Sequence, residues 1–173
     1  MPTSGGYPYR VTSFFCLKEK KNSVFYKMRI VLPIKIVPLD EGSFHLFITV
    51  EISGVEKDIL IDTGASRTVF DRQYLMEDNA ANAENDIQSA GIGAEKLGIS
   101  LGLLPCLRIG MWEIYDMPVA GMDFSNINEW YSRFTHFNIA ALIGSDFLLK
   151  YKAVINYGNS SISFSVPKRQ IRQ

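Results

Sequence analysis

The chain has 173 residues, 47% hydrophobic and 21% charged, with 18 Lys plus Arg against 18 Asp plus Glu. This length suits one domain with a sizeable core and is too short for two ordinary ones, and the composition is globular, not disordered. The charge balance excludes the basic excess of a nucleic-acid binder and the like-charge block of an interaction tail.

The opening stretch MPTSGGYPYRVTSFFCLKEKK lacks the order of a signal peptide. Its apolar part, around Val11 to Leu17, is brief, and charges follow it instead of preceding it. No apolar run is long enough to span a bilayer, so the expectation is an intracellular, cytoplasmic protein with no membrane partner. Met28 stands just before the first strong strand signal. Residues 1–27 therefore read as a poorly ordered N-terminal extension, or as lying upstream of the true start, and residues 28–173 as the one domain.

Strand signals dominate from there. Met28 to Val37 (MRIVLPIKIV) is rich in branched residues, and Pro33 makes it an edge or broken strand. LDEG reads as a turn. In SFHLFITVEIS the alternation puts Phe44, Leu46, Ile48, Val50 and Ile52 on one face, with His45, Thr49 and Glu51 opposite. GVEK reads as a tight hairpin turn, and DILI as a strand returning towards Asp62. RTVF is a further short strand, and DRQYLMED a helical turn. Residues 79–99 are polar and contain Gly91, Gly93 and Gly98, which predicts a long mobile connection or a hairpin with a glycine-rich tip. SLGLLPCLRIG and WEIYDMPVAG are strands. NINEWYSRF is a helix, with Asn126 as N-cap and Glu129 three positions on. AALIG is a buried strand, SDFLLKY a helix of two turns at most, and AVINYGNSSISFSV a last hairpin turning at Gly158-Asn159. Many short strands with two or three short helices predict a mainly β fold, a small closed or sandwiched barrel.

Several motifs fail on inspection. Cys16 and Cys106 are too far apart for a metal pair or a disulfide framework, and with only His45 and His136 beside them they argue against a zinc site. Both histidines read as surface or half-buried strand and loop residues. GISLG matches the nucleophile-elbow pattern around Ser100, but a polar, glycine-rich stretch precedes it and Pro105 follows, so it reads as strand between turns. In GIGAEKLGIS the phosphate-loop patterns would need glycine at Lys96 or lysine at Ile99. No cofactor and no metal are expected. Trp112 and Trp130 read as core or subunit-contact residues.

The informative stretch is ILIDTGAS. An aspartate ending an apolar strand is costly unless its charge is held. A turn through Gly64 lets backbone amides approach the Asp62 carboxylate, Gly64 and Ala65 leave room for a substrate backbone, and the Thr63 hydroxyl can tie one loop to another. The tripeptide alone also suits an aspartate that only caps its own turn.

Its context decides between them. ILIDTGAS resembles the active-site stretch of the retropepsin-like aspartic proteases. About eighty residues on, ALIGSDFL resembles that family's second signature, with Leu142, Ile143 and Gly144 opening a short helix. KYKAVINYGNSSISF is similar to its closing hairpin, and SAGIGAEK falls where the family has its flap. The resemblance spans Ile30 to Phe164 and is nearer to cellular than to viral members. It implies a closed β-barrel of the retropepsin-like acid protease type and an aspartic-type endopeptidase. Asp62 is then catalytic, supported by Thr63, Gly64, Ala65 and Ser66. Gly91, Ile92 and Gly93 form the flap tip that covers substrate. Viral members have an acidic residue after the alanine and an arginine after the second-signature glycine. Ser66 and Ser145 stand there instead, and Asp146 is expected to substitute by bonding Arg67 or the Thr68 hydroxyl.

In such enzymes two aspartates share one proton, because carboxylates about 3 Å apart do not both ionise. This chain has a single Asp-Thr-Gly. The resemblance therefore implies a homodimer with Asp62 supplied in trans, acting on a polypeptide. Terminal strands around Ile30 to Val37 and Ser161 to Val166 are candidates for joining the subunits. The alternative is a non-catalytic dimerisation or peptide-binding module with the same fold.

Overall fold

The computed structural model describes residues 27–40, 42–77 and 99–167. The strand expected over Met28 to Val37 is two: β1 (Lys27–Pro33) ends at the proline and β2 (Lys35–Asp40) follows one residue later. The long strand β3 (Ser43–Ile52) leads by a tight turn into β4 (Val55–Ile61). That turn is centred on Ser53 and Gly54, both at positive φ, with Ile52 paired to Val55. GVEK is therefore not the turn: Val55 to Lys57 already belong to β4, because Gly54 takes the left-handed conformation at little cost.

Strand β5 (Val69–Asp71) runs into one 3-10 turn at Arg72–Tyr74 and the two-residue β6 (Met76–Glu77). Strands β7 (Ser100–Ile109) and β8 (Trp112–Met122) form the largest hairpin. Helix α1 (Ser125–Tyr131) precedes β9 (Ile139–Ile143), and helix α2 (Ser145–Lys150) precedes the hairpin of β10 (Val154–Asn156) and β11 (Ser161–Pro167). Asn126 lies inside α1 and is not its N-cap. The N-cap position is Phe124, without a side-chain cap bond, and the Ser125 amide donates to Asp123 Oδ1 at 2.8 Å.

The fold is mainly β and contains a closed barrel. Strands β3, β4, β9, β5, β8 and β7 pair in that order, and β7 pairs back onto β3 to complete the ring. At that seam Glu51 faces Arg108, whose Nε donates to Glu51 Oε2 at 2.9 Å while Nη2 meets Oε1. Two pairings are parallel, β4 with β9 and β5 with β8, and β9 lies antiparallel to β5. Strands β1, β11 and β10 form a separate antiparallel sheet.

The main core takes Ile48, Ile59, Phe70, Leu104, Leu107 and Ile143 from the barrel. Trp112 joins it fully buried, its ring against Phe147, Tyr151 and Phe164, which ties the barrel to α2 and to β11. A second cluster unites Val37, Phe47, Phe124, Tyr131 and Ile139. This corrects the simple alternation expected for β3. Phe47, on the face assigned to polar residues, is fully buried because α1 covers it, whereas Phe44 is 60% exposed. Ser100 begins a ten-residue strand and does not sit on a strand-to-helix turn, so the nucleophile-elbow geometry is absent.

Candidate active site

The parallel pairing of β4 with β9 places the ends of the two signature strands side by side. Ile61 lies in register with Ile143, and the next amide, that of Asp62, donates to the Ile143 carbonyl at 3.0 Å. Beyond that point both strands turn away. The first becomes the loop Asp62 to Thr68 and the second enters α2 at Ser145.

The Asp62 loop is closed by its own carboxylate. Oδ1 accepts from the Gly64 amide at 2.9 Å and from the Ala65 amide at 3.3 Å. Oδ2 has no hydrogen-bond partner among the described residues. Asp62 is half-buried, as is Ala65, while Thr63, Gly64 and Ser66 are exposed. Among the described residues, the aspartate thus holds its bend with one oxygen and leaves the other without a partner. The Thr63 hydroxyl likewise has no hydrogen bond among the described residues.

The two signatures are bonded directly to each other. The Ser145 amide donates to the Ala65 carbonyl at 2.8 Å. The buried Thr68 hydroxyl accepts from the Gly144 amide at 3.1 Å and donates to Asp146 Oδ1 at 2.7 Å. That same oxygen accepts from the Phe147 amide at 2.7 Å. Of the two partners expected for Asp146, the bond goes to Thr68; Arg67 forms no ion pair among the described residues. Gly144 is required by space. A Cβ there would lie 2.5 Å from the Arg67 carbonyl oxygen, far inside contact distance. Ile143 is fully buried in the main core, and Leu142, on the other face of β9, packs on the second cluster. The flap candidates Gly91, Ile92 and Gly93 lie outside the described residues.

A neighbour of Asp62 went unnoticed in the sequence. Tyr131, from the last turn of α1, packs edge-on against Phe47 and bonds its hydroxyl to His45 Nδ1. Burial first, and then the negative charge of Asp62, push the Tyr131 phenol up to about 12. The phenol therefore keeps its proton at any ordinary pH. His45 and Tyr131 stand 86 positions apart, and no local pattern joins them. Among the described residues no three His, Cys, Asp or Glu side chains converge as a metal-binding group, and no helix is long and apolar enough to cross a membrane.

The aspartyl protease family matches residues 48–147, more than half of the chain and inclusive of both signatures. No curated protein matches it. Among solved structures, the chain is similar to a retropepsin-like aspartic protease from Rickettsia conorii, at 16% identity, covering 86% of this chain and 99% of that one, with a TM-score of 0.43. It is also similar to the retroviral protease-like domain of Ddi1 from Leishmania major, at 13% identity, covering 71% of this chain and 92% of that one, with a TM-score of 0.41.

Proposed function

The chain belongs to the aspartyl protease family, and on that premise we propose that it is an aspartic endopeptidase whose active form is a homodimer. The observation that carries this reading is the division of labour at Asp62. Oδ1 is committed to the Gly64 and Ala65 amides, while Oδ2, beside exposed Thr63 and Gly64, has no hydrogen-bond partner among the described residues. An aspartate needed only for its turn would gain nothing from a second loop built to hold that turn in place. Here the second signature grips it through the Ile143 and Ala65 backbone bonds and through the Thr68–Asp146 pair.

One such aspartate per chain requires a twofold axis to supply the other. Two adjacent carboxylates then share a proton and titrate as a pair. The charged member takes a proton from a water molecule. The protonated member polarises the scissile carbonyl and stabilises the tetrahedral intermediate. No covalent enzyme intermediate forms. On this reading the exposed Thr63 hydroxyl clasps the partner loop, and the glycine-rich segment around Gly91, Ile92 and Gly93 serves as the flap over substrate.

The test joins assembly to chemistry. Sedimentation should give a dimer, and peptide cleavage should rise with the square of protein concentration below the dimer dissociation constant. Pepstatin should inhibit it, and Asp62→Asn should lower it by about 10²–10⁴. A strictly monomeric protein that cleaves peptides, or an Asp62→Asn variant of full activity, would overturn the proposal. Peptide binding without cleavage by the native chain would favour the non-catalytic module.

A further inference from the structure

The pair formed by His45 and Tyr131 has no role in the chemistry above, yet Tyr131 lies near enough to Asp62 to feel its charge. The β3–β4 ladder ends at Leu46 with Ile61, and His45 and Asp62 are each the next residue outward from that pair. Side chains alternate along a strand, and directly opposite residues share a face. Leu46 and Ile61 both enter the main core, so His45 and Asp62 point to the other face, the one on which Phe47 and Leu60 meet Tyr131. Both His45 and Asp62 are half-buried, so both reach the surface at this end of the barrel.

The chemistry of the pair follows from the phenol. Tyr131 keeps its hydrogen well above neutrality. A phenol hydroxyl can donate or accept; where it donates to Nδ1, the imidazole hydrogen lies on Nε2. Nε2 has no hydrogen-bond partner among the described residues. The T-shaped contact of Tyr131 with Phe47, their ring centroids 6.0 Å apart, holds the phenol and so fixes the imidazole.

Resting on the protease reading, we propose that His45 is a substrate-binding residue: oriented by Tyr131, it donates from Nε2 to a backbone carbonyl of the bound polypeptide within one or two residues of the scissile bond. The distances suit this role. Adjacent strands lie about 4.8 Å apart, and an extended substrate advances about 3.3 Å per residue, so a carbonyl next to the bond held over Asp62 comes within reach of the neighbouring strand. Tyr131 is a positioning residue, acting through His45.

The experiment separates this inference from the activity. A random dodecapeptide library is screened against Asp62→Asn, and the selected peptide is measured for binding to that variant alone and combined with His45→Ala, Tyr131→Phe, both, or His45→Gln. The expected result is about tenfold weaker binding with either His45→Ala or Tyr131→Phe, the value of one hydrogen bond. The combination should be no worse than one change, since the two act as a unit. His45→Gln should retain most of the affinity, because its amide nitrogen lies near the position of Nε2. In the Asp62-containing enzyme the same changes should raise KM about tenfold and leave kcat within about threefold. If the native chain cleaves nothing but these binding losses persist, the protease reading fails and the inference stands. Affinity unchanged within about twofold by both changes, or a cleft that binds no peptide of the library, would overturn it. Tyr131→Phe removes a single oxygen and provides the folded comparison should His45→Ala not fold.

Discussion

The Thr68 hydroxyl stands between the two signatures, 2.7 Å from Asp146 Oδ1 and 3.1 Å from the Gly144 amide, and so spends both its donor and an acceptor on holding them together. Thr68 is 6% exposed, so either bond, once broken, leaves a group with little access to water.

Thr68→Val keeps the shape and removes the hydroxyl. The buried Gly144 amide then lacks a partner, at a cost of about 1–3 kcal/mol. Asp146→Ala removes the acceptor used by Thr68 and by the Phe147 amide, at about 1–2 kcal/mol. Thermal unfolding should register both as a fall in Tm of several degrees. An Asp146→Ala protein of native stability but altered cleavage preference would contradict this structural role.

Gly144→Ala tests the close approach of the loops. With the Cβ 2.5 Å from the Arg67 carbonyl oxygen and 3.0 Å from that of Ala65, backbone must shift at the point where the Ser145 amide meets Ala65. The expected loss is at least about 2 kcal/mol in urea unfolding, with activity falling as the Asp62 loop is displaced. A neutral result would mean that the loops slide apart freely.

Asp62→Asn separates the two jobs of the aspartate. The asparagine carbonyl can still accept from the Gly64 and Ala65 amides, so stability should stay within about 1 kcal/mol of native. Peptide cleavage should fall by about 10²–10⁴, the range for loss of a general acid or base. Marked unfolding without any other effect would reduce Asp62 to a turn-capping residue.

Tyr131 predicts an alkaline signature. Its folded phenol titrates at about 12, above the ordinary value of 10, because burial and Asp62 disfavour the charged form. As pH rises from 10 towards 12, the unfolded chain loses this proton and the folded one retains it. The stability contributed by the protonated phenol is therefore whole below pH 10 and is lost as pH climbs through 12. The difference in unfolding free energy between the native chain and Tyr131→Phe should be constant from pH 7 to 9 and shrink above 10. A difference that grew with alkalinity would contradict the placement of the phenol.

Much of this was legible in the sequence, because the signals are local. Pro33 ends β1 where a strand proline should, and the alternation of Leu46, Ile48, Val50 and Ile52 marks the core face of β3. The same alternation misled at Phe47, since periodicity reports one buried face and cannot show that a helix 80 residues on covers the other. The turn at Ser53-Gly54 was misplaced by two residues because Gly54 and Val55 both fit a hairpin tip until the ladder fixes the register. Asn126 does not cap the helix because the helix already begins at Ser125, one residue before it.

By itself the sequence determined the presence of Asp62 at the end of an apolar strand and the glycine turn after it, since turn chemistry and a period of two are written in neighbouring residues; the second signature at Leu142 to Gly144 came from resemblance to the family. Only the tertiary structure decided that Glu51 and Arg108 close the barrel, that Asp146 chooses Thr68 over Arg67, and that Tyr131 meets His45. Those contacts join positions 57, 78 and 86 residues apart. They form because strand pairing and burial bring such residues together in the folded chain, and neither leaves a pattern in the residues nearby.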